Sequence, residues 1–496
     1  VGRDDLGGRH PEPDVDGAEQ RSGRSPHGSP ADHRTDLDRG SVPGPNGGFN
    51  GTVQAGCGQR HQRTVKLAVV VQRYGADLNG GAELHARYIA EHLARHTQVE
   101  VLTTCARDYI TWENGFEPGL ERVNGLPVHR FPVSRVRDPD DFGRRSERVF
   151  QRTHSLADEL NWLDSEGPNS PALVNHVRDH AADYDYFIFF SYRYYHAYHG
   201  IRHVASRSVL VPTAERDSAL GLAIFGPTFR SVRAIMYNSF EERALIQRVS
   251  SNNHVPGVVV GIGSEVPSRA SAERFRQRRK FSRRFAIYVG RIDENKGCAE
   301  LFDYFDRYGR TSGRLDLVLI GNSVMPVPSH PRIHHLGFVS DDEKFDAIAA
   351  ADLLIMPSYF ESLSMVTLEA WAMGVPVLVN GQCDVLCGQT IRANAGLYYT
   401  TYGEFSEAMR LFETNKQLRQ TFGENGRDYF RQHYAWPVIE QKYLDMLHRL
   451  ESDNLPGDPV EPLPGWFARH RRTIPAANQI VDHLPTGPVL SERQNG

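Results

Sequence analysis

Two glutamates, Glu361 and Glu369, stand with seven residues between them in the run Pro357-Ser358-Tyr359-Phe360-Glu361-Ser362-Leu363-Ser364-Met365-Val366-Thr367-Leu368-Glu369. Upstream, Gly290-Arg291-Ile292-Asp293-Glu294-Asn295-Lys296-Gly297 places a guanidinium and an ammonium five positions apart. In a loop such a pair suits a diphosphate, the arginine by bidentate contact and the lysine as a point charge. Beside phosphates the carboxylates would be repulsive. Aimed at hydroxyl donors they become acceptors, able to orient a sugar at each end of a nucleotide-sugar. A helix opening at Ser364 would add the free N–H groups of Ser364, Met365 and Val366. Its dipole is worth only ~0.3–2 kcal/mol, so it has to act together with Arg291 and Lys296.

These residues need strands to hold them. Lys66-Leu67-Ala68-Val69-Val70-Val71 is a continuous apolar run of the kind buried on both faces of a parallel sheet. It leads through a glycine-containing loop into a helix with apolar Leu84, Tyr88, Ile89 and Leu93. Further strands are expected at 99–103, 127–131, 186–190, 209–212, 234–237 and 258–260. A second alternating series is expected at 286–289, 315–320, 333–336, 353–356 and 375–379, closed by a helix over 436–450. The alternation predicts an α/β chain of two doubly wound domains, 64–275 and 276–451. Arg291 then follows the first strand of the second domain, at the carboxyl end, where open α/β sheets bind ligands.

With 496 residues the chain is long enough for two domains and extra segments. Its net charge of −4 gives no pull toward nucleic acid. Five scattered cysteines read as a reduced, cytoplasmic chain, and Cys383 and Cys387 as ordinary thiols without zinc spacing. No apolar run approaches the ~20 residues of a spanning helix, and the N-terminus lacks the apolar core of a signal peptide. Residues 1–63, poor in aliphatic clusters, are expected to be a disordered leader, or the product of a start assigned upstream of a GTG codon at Val65. Residues 452–496 are expected to be a Pro-rich, largely disordered tail. Within it, Trp466-Phe467-Ala468-Arg469-His470-Arg471-Arg472 could touch anionic lipid at the inner face of a membrane. The arginine-rich stretch 268–284 reads as a solvated helix between the domains, with a membrane- or phosphate-facing patch as the alternative.

The second half resembles the C-terminal domain of the retaining family-4 glycosyltransferases of the GT-B fold. Gly290-Arg291 with Lys296-Gly297 matches that family's G-R-x-x-x-x-K-G pattern, and Glu361 to Glu369 its E-x7-E pattern. The likeness runs over roughly 64–450. It implies two Rossmann-like domains facing across a cleft, a nucleotide-diphosphate-sugar donor, a hydroxyl acceptor, retention at the anomeric carbon and no required metal or other cofactor. Arg291 and Lys296 would hold the phosphates, Glu361 the donor sugar and Glu369 the ribose. Asn79-Gly80-Gly81, between the first strand and first helix, would face the donor phosphate and the acceptor, Gly80 and Gly81 allowing close backbone approach.

Two departures stand out. Ser362 and Ser364 replace glycines common in the family, and Glu215 stands where the family often has a histidine near the sugar. His196 and His199 are alternatives for that role. Gly261-Ile262-Gly263 lacks the third glycine of a dinucleotide fingerprint. The D-x-D of Asp183 and Asp185 precedes its strand, the wrong end for a metal–diphosphate site; Asp138 and Asp140 share the spacing. The resulting expectation is a hexosyltransferase acting in polysaccharide or glycolipid synthesis or on a small molecule. A nucleotide-sugar epimerase or phosphorylase of the same architecture, or a non-catalytic sugar-nucleotide scaffold, are the alternatives.

Overall fold

The computed structural model describes residues 65–453 apart from 79, 268 and 312; the expected leader, tail and 466–472 cluster lie outside them. Eight strands build the first sheet: β1 (Lys66–Val71), β2 (Gln98–Thr104), β3 (Gly119–Val123), β4 (Leu126–Phe131), β5 (Tyr186–Phe190), β6 (Ser208–Val211), β7 (Ala234–Tyr237) and β8 (Gly257–Val259). Their order is β3-β4-β2-β1-β5-β6-β7-β8, parallel throughout except β3, which returns antiparallel on β4. The second sheet has β9 (Phe285–Val289), β10 (Asp316–Ile320), β11 (Ile333–His335), β12 (Leu353–Met356), β13 (Val377–Asn380) and β14 (Gly396–Tyr399). Its order, β11-β10-β9-β12-β13-β14, is that of a parallel dinucleotide-binding sheet.

Each sheet reverses its winding beside its first strand, between β1 and β5 and between β9 and β12. A crevice opens at such a point because the two following loops leave in opposite directions. The loops after β9 and β12 carry Arg291–Lys296 and Pro357–Glu361; those after β1 and β5 carry Gln72–Gly80 and Ser191–Tyr194. Both domains therefore present their switch points to one cleft. The strands between are apolar on both sides because helices cover both faces: β5 and β9 are buried at every residue.

Two strands were not expected. β3 is an exposed edge, and its turn, Asn124-Gly125 with φ of 49° and 86°, is a hairpin signal that the polar strand itself does not advertise. β14 is a four-residue edge strand whose Gly396-Leu397-Tyr398-Tyr399 is too short to show alternation.

The first helix, Gly81–Leu93, buries Ile89 and Leu93 as its apolar spacing suggested, but its buried side is wider and partly polar. Leu84 and Tyr88 are half-exposed, whereas Glu83, His85 and His92 are buried. Glu83 is taken up by Arg73 and His85 packs on Phe190; for His92 the reason lies at the other end of the chain. The last helix, Trp436–Asp453, returns to the first domain, stacks Trp436 on His92 with ring centroids 3.5 Å apart, and sets Glu440 against His92 and His96. Gly261 and Gly263 serve that crossing: a Cβ would sit 2.4 Å from the Tyr434 ring and 2.5 Å from the Trp436 ring. The glycine pair is a packing device, in keeping with the missing third glycine.

The basic stretch is solvent-facing as expected, with Phe275 the buried residue of the helix Ala272–Arg279. What the sequence did not show is that the arginines of this helix and of the segment after it pair with acids of the second domain. Arg279 meets Glu343 at 2.6 Å, Arg283 meets Asp316 at 2.9 Å and Arg284 meets Asp352 at 2.7 Å, while Arg274 pairs with Asp346. Among the described residues no helix is long and apolar enough to cross a membrane.

Gly263→Ala drives a methyl group into the Trp436 ring, and overpacking of this kind costs about 1–3 kcal/mol. A lower midpoint in urea unfolding is expected; an unchanged midpoint would mean that the helix crossing adapts freely.

Candidate active site between the two domains

On the second-domain wall, Gly290 (φ 154°) releases the chain from β9 and Arg291 emerges, more than half exposed and paired with Asp293 at 2.6 Å. The buried Asp293 also accepts the N–H groups of Asn295 (2.7 Å) and Lys296 (3.3 Å), closing a short turn that aims the lysine inward. Gly297 ends that turn at φ 73°, and a Cβ there would stand 2.1 Å from the carbonyl oxygen of Pro357. Only glycine lets the Arg291–Lys296 loop dock against the segment after β12. The docking brings Lys296 Nζ to 2.8 Å from Glu361 Oε1. Burial works to lower the Lys296 pKa, but Glu361 beside it holds the ammonium above its ordinary range.

The helix Met365–Ala372 begins at Ser364, whose hydroxyl accepts the Thr367 N–H. The N–H groups of Met365 and Val366 lie in the first turn, where a helix offers no carbonyl. Met365 lines the cavity described below, whereas Ser364 and Val366 do not.

The first-domain wall is held under backbone strain. Ser191 and Thr213, just past β5 and β6, have φ of 65° and 49°. Such left-handed non-glycine residues cost of order 1–3 kcal/mol each. Their hydroxyls meet at 2.8 Å. Fully buried Glu242 accepts the N–H groups of Ala214 (2.6 Å) and Asn238 (2.5 Å), fixing the loop that carries Glu215. Two arginines of this wall are taken up by carboxylates: Arg73 binds Glu83 at 2.7 Å, and Arg193 lies 2.9 Å from Glu166 and 2.8 Å from Asp217. Gly80 permits the first pair, since a Cβ there would overlap Glu83 Oε2 at 2.1 Å; at Gly81 the space is open.

Both walls line one cavity of about 620 Å³. It brings together Gly80, Gly81, Glu215, Arg291, Lys296, Glu361 and Met365 of the expected residues. A second cavity of about 700 Å³ shares Glu215, Phe360 and Glu361 with the first. Beyond it the domains are tied by Glu241 and Arg392 at 2.5 Å. Glu215 sits where the two cavities join. Its carboxyl is pushed up to about 7, by burial first and then by Glu361, with Lys296 working the other way.

Not every expected residue reaches the cleft. His196 is in the core under β5, its Nε2 3.3 Å from the Phe190 carbonyl, and burial pushes its pKa down to about 4. It does not line the cavity, because the helix Tyr195–Val204 turns that face toward the sheet. His199 faces Asp164 instead of the cleft. Glu369 lies off the cavity wall, 6% exposed, with Lys344 Nζ 3.0 Å from Oε1 and Oε2 without a partner. Burial holds it above the ordinary carboxylate range despite the lysine. Asp185 accepts the Lys66 N–H at the opposite, amino end of the sheet. Asp138 caps the helix Pro139–Gln151. Cys383 and Cys387 are free thiols. Among the described residues no group of three His, Cys, Asp or Glu side chains stands at metal-binding geometry.

Sequence reasoning missed Gln72, His85, Arg193, Asp217 and Asn238, all of which line the cavity. Gln72, Asn238 and Ser191 each directly follow a strand, and that position was the available signal.

The description Glycosyl transferases group 1 matches residues 270–429. Lipopolysaccharide glucosyltransferase WaaG of Escherichia coli K12 is 32% identical over 99 residues, 18% of this chain and 25% of that protein. The chain spans between 25% and 49% of the length of the first curated relatives it matches. Among solved structures, sucrose-phosphate synthase of Thermosynechococcus elongatus superposes with a TM-score of 0.58 at 15% identity, over 79% of this chain and all of that one. HepE of Anabaena in complex with UDP-glucose gives 0.56 at 16%, over 77% of this chain and 99% of that one. The fold is GT-B: two Rossmann-like domains across a cleft.

Glu215 yields a test of the cleft's charge balance. Its folded pKa, about 7, exceeds its ordinary 4.5. The native state therefore holds the extra proton in that window, and stability declines as pH rises through it. In Glu215→Gln the decline should be absent, so the variant gains on the wild type by about 1–3 kcal/mol between pH 5 and pH 8. Parallel melting curves against pH would show the group to be an ordinary ionised carboxylate.

Proposed function

We propose that the protein is a retaining glycosyltransferase that moves a sugar from a nucleotide-diphosphate-sugar to a hydroxyl acceptor. The observation that carries this reading is the meeting of Lys296 and Glu361, 2.8 Å apart on the second domain, with Glu215 and the Gly80-Gly81 loop of the first, on one cavity. Cations, a first-turn N–H group and carboxyls on that cavity are the complements that a diphosphate and sugar hydroxyls require. The name of the family matching 270–429 supports the reaction class, as do the names of the relatives.

Arg291 and Lys296 bind the diphosphate, aided by the N–H groups of Met365 and Val366. Glu369 stands off the cavity wall, and its Oε2, buried without a partner, is the acceptor for a ribose hydroxyl that extends past the cavity. Glu361 and Glu215 take the hydroxyls of the donor sugar. In the transfer the bond from the anomeric carbon to the phosphate oxygen breaks as negative charge gathers on the diphosphate. Fixed cations in a cleft poor in water stabilise that charge without reorganising, and supply it without a metal. The acceptor oxygen bonds to the same face of the carbon, and its proton passes to the departing phosphate oxygen. None of the carboxyls need act as a nucleophile.

Thermal-shift titration with UDP-, GDP- and ADP-glucose tests this. One nucleotide class should raise the melting temperature, and the rise should vanish in Arg291→Ala and Glu369→Ala. With that donor, Lys296→Ala should lose about 10²–10³-fold in kcat, the usual scale for removing one charge-stabilising group. No rise with any nucleotide-sugar would remove the reading.

A further inference from the structure

Three polar side chains on the first-domain wall are buried beyond nine-tenths, line the cavity and carry an atom with no hydrogen-bond partner. They are Gln72 (1% exposed, Oε1), His85 (4%, Nε2) and Asn238 (2%, Oδ1). Buried polar atoms without partners are costly, and a cluster of them on a cavity wall marks groups arranged for a ligand. Two stand at strand ends, after β1 and β7, and the third on the first turns of the helix after β1. None takes part in the ion pairs of the cleft. His85 is neutral, burial pushing its pKa down to about 3, so its ring offers one donor and one acceptor. Amides and a neutral imidazole together both give and receive hydrogen bonds, which is what hydroxyl groups require.

The charges around them point the same way. Arg73 gives Nε and Nη2 to Glu83 and Nη1 to the Arg107 carbonyl. Arg193 lies between Glu166 and Asp217. Both arginines of this wall are held in ion pairs, though Arg193 Nε makes no hydrogen bond, while Glu83, Glu215 and Asp217 line the same space. A phosphate ester arriving here would meet carboxylates.

Building on the glycosyltransferase reading, we propose that Gln72, His85 and Asn238 form the acceptor subsite, and that it takes the hydroxyls of an uncharged sugar or polyol in preference to a sugar phosphate. The exposed ring of Tyr109 and the buried ring of Tyr194, on the same cavity, supply apolar faces for such a ligand. The proposed class differs from what the name of the structural relative sucrose-phosphate synthase suggests for that protein.

Saturation-transfer NMR tests it, with glucose, mannose and myo-inositol set against glucose 6-phosphate and mannose 6-phosphate. Each runs on the full chain with the nucleoside diphosphate of the class that raises the melting temperature. At least one neutral compound should bind, and sugars should exceed their own 6-phosphates by about fivefold or more, the worth of one net hydrogen bond. In Gln72→Met and Asn238→Leu the neutral signal should fall by a similar factor while the nucleotide-induced melting shift persists. The melting temperature itself should hold or rise, because each change removes an unpartnered buried atom; a merely structural role would lower it. The proposal is overturned if the phosphates bind better, if the variants keep the neutral signal, or if no neutral compound binds while the nucleotide does. Should a variant not fold, the comparison of sugar with sugar phosphate on the wild type still decides. Absence of any nucleotide shift in the wild type counts against the glycosyltransferase reading itself and is read separately.

Discussion

The structure turns on holding two carboxyls and one ammonium together at the meeting of two domains. Glu361 and Lys296 are neighbours at 2.8 Å on the second domain, and Glu215 faces them from the first. Burial first, and then the charge of Glu361, disfavour ionised Glu215 more than Lys296 favours it, so its pKa is raised to about 7. Everything near the cleft can be read as the means of enforcing this contact. Glu242 clamps the backbone before Glu215, Ser191 and Thr213 accept strained conformations behind it, and Gly297 lets the lysine loop touch the strand-end segment that carries Glu361.

That contact is only as precise as the relation between the domains. The chain crosses from the first domain at Gly261–Gly263 and returns with the helix Trp436–Asp453. At this junction His92 has a carboxylate at each ring nitrogen, Glu440 at 2.5 Å and Glu265 at 2.7 Å, and the Trp436 ring on its face. On the opposite side of the cleft Glu241 binds Arg392. The first set is centred on the buried His92 ring and needs the glycine pair; the second is a single partly exposed ion pair and is worth correspondingly less. A firm hinge with a weaker clasp at the mouth is an arrangement that can open without losing register.

Much of this was legible in the chain. Apolar runs located nearly all strands because parallel strands buried on both faces have no polar positions to blur them. Strand ends located Arg291, Lys296, Glu361 and Glu215. The misreadings share a cause. His196 and His199 follow a strand and look available, but which way a helix faces depends on what packs against it. The burial of His92 was hidden for the same reason, since its cover comes from residues beyond 435. Arginines at 274–284 do face solvent, but their pairing was hidden because the acids, Asp316, Glu343, Asp346 and Asp352, are far away in sequence.

The raised pKa of Glu215 also eases a difficulty in placing carboxyls beside a diphosphate. On the proposed reading the arriving phosphates draw on Lys296, which weakens its hold on Glu361 and frees that carboxylate to accept sugar hydroxyls. The same phosphates add negative charge near Glu215 and favour its neutral form further. A neutral carboxyl can donate as well as accept. Glu215 would then meet the sugar as a hydrogen-bonding acid without adding to the repulsion, much as a neutral histidine would in its place. Replacing histidine by glutamate at this position thus need not forfeit the function of the site, provided burial keeps the proton on.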